Sequence, residues 1–343
     1  MTNLLEPWVL LRLAAGLVAL ALFGRAALTA QRVLRHFDVK RATEGQLALE
    51  KQLELAATFS RVAAVVQVLT LALSVLAADR LSRGVRGAMC AYGVFSAQSW
   101  GFRSLAATAG VALAAGIVTQ LYAFDARVRS LDLARPLAIV TCVMAPLAAF
   151  DLASAAKFLL GLDLSVVASC CSVQLDPIAA TGEAHATGPR VLFTILAIGG
   201  TLLSISVAFV AARTPTRSRV LVAGAISLLT LPVALAATVL EVAPHAFEVP
   251  THVCPFCLLK PDVFAIGYPL FGALFLAASW AGGAAVSAVL SRSGGAASAA
   301  LGVFAARRLR LGAMAWCFAL VLGAAPVVRF AIVSGGASLF QVP

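Results

Sequence analysis

Along the chain, long apolar runs alternate with short stretches where arginine, acidic residues, proline and glycine collect. A helix that crosses the hydrocarbon core of a bilayer needs about 20 mostly apolar residues. Eight runs meet that length, at 8–30, 56–78, 104–124, 136–160, 190–212, 220–240, 263–290 and 311–333. The pattern therefore predicts an all-α fold, a polytopic membrane helical bundle of about eight spans forming one transmembrane domain over 1–343. Only Glu6 is charged ahead of the first run. The basic head of a cleavable signal peptide is thus missing, and the run is expected to be a retained span.

Two stretches break the alternation. Residues 31–55 are polar and helical in character, with Glu50 and Glu54 four apart and an apolar edge of Leu47, Leu49 and Leu53. They predict an interfacial amphipathic helix on the cytoplasmic face. The segment near 86–101 follows Arg80, Arg83 and Arg86 and contains Cys90. It is too apolar for a free loop and too short and Gly-broken for a span. It predicts a re-entrant or interfacial piece, tolerated at depth only where protein or water satisfies its backbone.

Charges inside the spans are functional candidates by default. The first run carries Arg12 and Arg25, the fourth Asp151 and Lys157, and the eighth Arg329. Six residues place Asp151 and Lys157 about 120° apart around a helix, so they are not expected to pair. Lys157 and Arg329 are read as snorkelling to the interface, and Asp151 as an accessory candidate facing a cavity.

Composition agrees with a membrane protein. Of 343 residues 61% are hydrophobic and only 12% charged, half the charged fraction of an average soluble domain, about 25%. The net charge of +11 is carried by arginine-rich loops and sets orientation. No nucleic-acid partner is expected, because no aromatic–basic patch or RNA or DNA motif accompanies the charge. Loops one, three, five and seven hold fifteen Lys and Arg residues, and loops two, four and six hold seven. The first set is expected to be cytoplasmic, with both termini and the other loops outside. The abundance of Gly, Ala and Arg points to a GC-rich bacterium, so the expected location is the inner membrane with periplasmic termini.

That orientation gathers five cysteines on one side: Cys90 in loop two, Cys170 and Cys171 in loop four, and Cys254 and Cys257 in loop six. Cys254-Pro255-Phe256-Cys257 is a C-P-x-C dithiol preceded by His252. In a helical turn, residues three apart share a face, and Pro255 suits a first helical position. Backbone donors aimed at Cys254 would lower its pKa and supply the thiolate that exchange or metal ligation needs. Haem attachment is excluded, because Leu258 stands where C-x-x-C-H needs histidine. Walker, H-E-x-x-H and G-x-S-x-G signatures are absent as well. Cys142 and Cys317 lie inside spans and are read as packing.

Two readings of chemistry remain, beside a third without any. In the redox reading, Cys254 attacks, Cys257 resolves, Cys170 and Cys171 form the second pair, and His252 tunes the thiol. A membrane quinone and a periplasmic thiol protein would be the electron partners. The C-P-x-C pattern resembles the active-site motif of thioredoxin-fold disulfide oxidoreductases over four residues. Helical spans with paired cysteines in outer loops look like membrane thiol oxidoreductases of the DsbB and VKOR kind. In the metal reading, Cys170, Cys171, Cys254, Cys257 and His252 hold copper or zinc, because soft thiolates select such ions. Cys90 and His245 are accessory candidates, and a metallochaperone the expected partner. In the third reading the cysteines are structural staples in a transporter or assembly subunit.

Overall fold

A computed structural model of the protein describes residues 6–36, 44–128, 131–165, 167, 187–291 and 295–340. The described residues are helical and contain no strand. The chain runs through α1 (Pro7–His36), α2 (Glu44–Leu81), a short α3 (Ala91–Ser96), α4 (Gly101–Val128), α5 (Ala134–Leu160), α6 (Thr187–Arg213) and α7 (Arg217–Ala237). A π-helical turn, Thr238–Val242, leads into α8 (Ala243–Phe247), followed by α9 (Gly267–Leu290) and α10 (Ala296–Val333). Eight helices among the described residues are long and apolar enough to cross a membrane. The chain is a multi-pass membrane protein, and a helix is the form in which a single segment satisfies its own backbone in lipid.

The helices pack as two groups. The first comprises α1, α2, α4 and α5, the second α6, α7, α9 and α10, and α4 lies against α9 along the seam. Small residues let that seam close: a Cβ added to Gly116 of α4 would stand 2.6 Å from the Ser279 hydroxyl of α9. Where hydrophobic burial is not the driving force, such close backbone approach supplies the dispersion contacts that join helices. Leucines and valines such as Leu10, Leu17, Val303 and Val321 are left on the outside, where lipid is as good a neighbour as protein.

The 31–55 stretch does not form a separate surface helix. Gln31–His36 completes α1, residues from Glu44 onward begin α2, and 37–43 lie outside the described residues. Leu49 and Leu53, one turn apart, pack on Ala30 and Val33 of α1 and Ala138 of α5. Neighbouring helices thus cover Leu49 and Leu53, while Leu47 is 60% exposed.

The 86–101 segment folds back against the bundle. Cys90, Ala91, Val94 and Phe95 are buried, and α3 packs on α2 and α4. Prolines 146, 232 and 326 sit inside α5, α7 and α10, as membrane helices tolerate when neighbours satisfy the freed carbonyls.

Loops two, four and six meet at one end of the bundle. Val85 and Cys90, Leu162, and Cys254 and Phe256 share a single buried core with Val9 of α1. This is the thiol end of the bundle. Loop six reaches it through three left-handed non-glycine residues, Glu248, Phe264 and Ala265, a conformation that L side chains adopt only under constraint.

Candidate functional site

The site is built from two loops that are distant in sequence. Cys90 precedes the first residue of α3, with its own backbone extended. Cys254 and Cys257 come from loop six, where Cys257–Leu259 forms a single 3-10 turn. The Cys90 and Cys254 sulfurs are 3.4 Å apart, a thiol–thiol contact in which either can donate. With Cys257 they form a trio whose sulfurs all lie within 4.8 Å of one another. Cys90 and Cys254 are 1% and 0% exposed, and Cys257 is half-buried.

Aromatic packing fixes the trio. Phe256, between the two loop-six cysteines, has its ring 5.5 Å from that of Phe95, which follows Cys90 on α3. Phe95 in turn stacks on Phe158 of α5 at 5.3 Å. On the other side, Leu258 is fully buried in the core of the second helix group, with Val242, Leu270 and Trp316. Gly267 permits that seating, because a Cβ there would stand 2.9 Å from the Leu258 carbonyl carbon. Lys260 donates to Asp79 at the end of α2 at 2.8 Å, a partly exposed pair worth about 0–1 kcal/mol that ties loop six to loop two.

The electrostatics favour a thiolate. The Cys90 thiol is held well below the usual thiol range by hydrogen bonds from Cys254 and then Cys257, against the opposing effect of burial, with the Tyr92 and Gly93 amides adding to the shift. Lys260 is held above its usual range, chiefly by its hydrogen bond to Asp79 and, against the effect of burial, by the Asp79 charge, with the neighbouring thiol cluster adding a smaller push in the same direction. Burial pushes His252 down, and the Cys90 charge pulls it partly back. The His252 ring stacks on Phe247 at 4.1 Å, and its Nε2 is buried without a hydrogen-bond partner among the described residues.

The expected residues thus separate. Cys254 and Cys257 meet Cys90, ranked in the sequence as accessory only. Cys170 and Cys171 lie outside the described residues. His252 neighbours the trio without joining it. His245 belongs elsewhere: its Nδ1 lies 2.8 Å from the Glu241 backbone carbonyl oxygen and its ring meets Phe330 and Phe340 edge-on. Cys142 donates to the Ala27 carbonyl, and Cys317 is exposed on α10. Lys157 sits 4.1 Å over the Trp100 ring, and Arg329 pairs with Glu248.

Asp151 does not face a cavity of its own. It is fully buried and paired with Arg12, whose Nη2 reaches both carboxylate oxygens at 2.8 and 2.9 Å. Gln67 and Thr108 donate to the same carboxylate at 2.7 and 2.6 Å, and the Arg12 Nε donates to Ser74. Four helices converge on this one charge pair. Two turns further along α5, roughly 10 Å at 1.5 Å per residue, Phe158 enters the thiol core. The sequence signals here were the two charges inside apolar runs and the Gln67, Thr70, Ser74 stripe on α2, at spacings of three and four.

Comparison with known proteins finds no matching family model, no matching curated protein and no matching solved structure.

Proposed function

We propose that this membrane protein binds a soft metal ion, of the copper(I) class, through the thiolates of Cys90, Cys254 and Cys257. The observation that carries the reading is the third sulfur. A dithiol switch needs two cysteines, whereas here three from two loops lie within 4.8 Å of one another. Metal–sulfur bonds of about 2.3 Å set sulfur–sulfur edges of roughly 4 Å in a trigonal or tetrahedral site, inside that limit. Soft thiolates select Cu(I) and Zn(II), and structural zinc wants a fourth ligand. His252, with its buried Nε2 lacking a partner, is the nearest candidate for that position. Burial of Cys90 and Cys254 also suits ligation better than attack on a partner, since reactive cysteines are partly exposed. The charge bias of the loops supports an inner-membrane protein with the thiol end in the periplasm, and a metallochaperone is the matching partner.

The test is metal titration of the reduced protein in lipid nanodiscs under anaerobic conditions, with a chromophoric Cu(I) chelator as competitor. One equivalent of Cu(I) held by the parent and lost in Cys90→Ser, Cys254→Ser and Cys257→Ser is expected. Equal retention in the Cys90→Ser protein would sink the reading, as would no retention by a fully reduced parent.

A second reading, thiol–disulfide exchange, is favoured by the Cys254 and Cys257 sulfurs lying within 4.8 Å of each other and by the partial exposure of Cys257. In it the roles expected from the sequence are reversed: Cys257 attacks the partner disulfide, Cys254 breaks the mixed disulfide by forming a Cys254–Cys257 bond, and two electrons and two protons leave with the partner as two thiols. Turnover of a dithiol substrate or its disulfide by metal-free protein, abolished in Cys257→Ser, would place exchange ahead of binding.

A further inference from the structure

The second helix group holds a cavity of about 200 Å³ between α6, α7, α9 and α10. Its walls are almost wholly apolar, formed by residues such as Ala237, Leu274, Trp316 and Ala324. Two of its lining residues, Ile198 of α6 and Val328 of α10, are 46% and 53% exposed, so the cavity reaches the outside of the bundle there. In a membrane that outside is lipid, so an occupant enters from the bilayer.

One end of the cavity is polar. The π-helical turn Thr238–Val242 contributes Glu241 to the lining, opposite Thr194 of α6. A π turn inside a helix often marks a functional site. The Glu241 side chain is only 14% exposed, and its Oε2 accepts from Arg190 at 2.6 Å and from Thr194 at 3.4 Å. The other oxygen, Oε1, accepts no hydrogen bond from the described residues; His245 Nδ1 stands 3.7 Å away. Arg190 already balances the carboxylate charge, so the open position calls for a neutral donor rather than a cation.

We infer that this cavity binds a bilayer-borne lipophilic molecule whose apolar body fills the space and whose polar end, a hydroxyl or similar neutral donor, hydrogen-bonds to Glu241 Oε1. None of the thiol trio lines the cavity. Apolar walls with a few placed polar groups are the usual makeup of small-ligand pockets, and a hydrogen bond to an ionised oxygen shielded from water is stronger than one in solvent.

The test uses the full chain in phospholipid nanodiscs and a long-chain primary alcohol carrying a photoreactive diazirine in its chain. After irradiation, label is expected on the α6 and α10 peptides that contain Ile198 and Val328, and unlabelled alcohol should compete it away. The matched alkane lacking the hydroxyl should label at least roughly tenfold less, the worth of one hydrogen bond to a charged group. Ala324→Leu, which fills the cavity, should abolish this labelling, whereas Val303→Leu on the lipid-facing side of α10 should not alter it. Thermal unfolding of both variants controls for folding. Label spread evenly over all helices, or labelling unchanged by Ala324→Leu in a folded protein, overturns the proposal; equal labelling by alcohol and alkane overturns the role of Glu241. Cys90→Ser should label like the parent, so failure at the thiol site and failure here are read separately.

Discussion

Cys90 and Cys254, separated by 164 positions in the chain, bring their sulfurs to 3.4 Å. Neither residue is near the other's element in sequence, and each arrives on a loop whose backbone is fixed by aromatic packing. Removing Cys90 should therefore leave the two loop-six cysteines in place and remove one ligand. We expect Cys90→Ser to lower bound Cu(I) from about one equivalent to none while leaving the helical content of the protein unchanged. Elemental analysis and circular dichroism on the same sample check both halves.

Breaking the Arg12–Asp151 pair should be costly. Both side chains are fully buried, and a buried charge that loses its partner costs about 3–5 kcal/mol. Arg12→Met and Asp151→Leu are each expected to destabilise by that amount. The double variant should recover much of the loss, because no lone charge remains. A double-mutant cycle by denaturant unfolding in detergent measures it, and additive losses would contradict a direct pairing.

Acid should weaken the metal-free fold through the thiol end. Cys90 titrates below an ordinary thiol, so the unfolded chain binds the proton more readily than the folded one. The stabilisation is complete above the unfolded thiol value of about 8.5 and is lost as pH falls through the folded value. His252, also depressed, acts in the same sense: its contribution is present above about 6.5 and lost as pH falls below that. Melting temperature should thus drop on acidification, and drop less in Cys90→Ser. A pH series of melts on the two proteins decides it; parallel curves would show that Cys90 is not the titrating group.

Gly267→Val should disconnect the site without unfolding the bundle. A Cβ at 267 would stand 2.9 Å from the Leu258 carbonyl carbon, so Cys257–Leu259 must move off α9. Tight backbone contacts relieve themselves by shifting the weaker element, here the loop. We expect metal affinity to fall at least roughly tenfold, as for lost positioning groups around metals, with helical circular dichroism unchanged.

The spans were legible in the sequence because each is a local property: an apolar run of sufficient length dictates a helix wherever its neighbours lie. Cys254 and Cys257 were legible for the same reason, by their spacing. The partner of the dithiol was not. Cys90 lies at the same end of the bundle as Cys254, but an isolated cysteine carries no spacing signal, and the adjacent Cys170 and Cys171 drew the pairing instead. Arg12 and Asp151 show the same limit, since each is visible as a charge in an apolar run while their meeting depends on how α1 and α5 pack. Leu47, Leu49 and Leu53 mark the converse: Leu49 and Leu53 meet other helices while Leu47 is exposed, and a helix face does not itself state whether lipid or protein will cover it.

The C-P-F-C loop is held by both halves of the molecule. Cys254 and Phe256 are set in the core shared with α1, α2 and α5, while Leu258, one residue past the dithiol, is set among α7, α9 and α10. The three sulfurs all sit on the first of these cores, and the chain crosses to the second within one residue, between Cys257 and Leu258. That single peptide link works like a rivet through overlapping plates: the spacing of the sulfurs cannot be separated from how the two helix groups pack at this end.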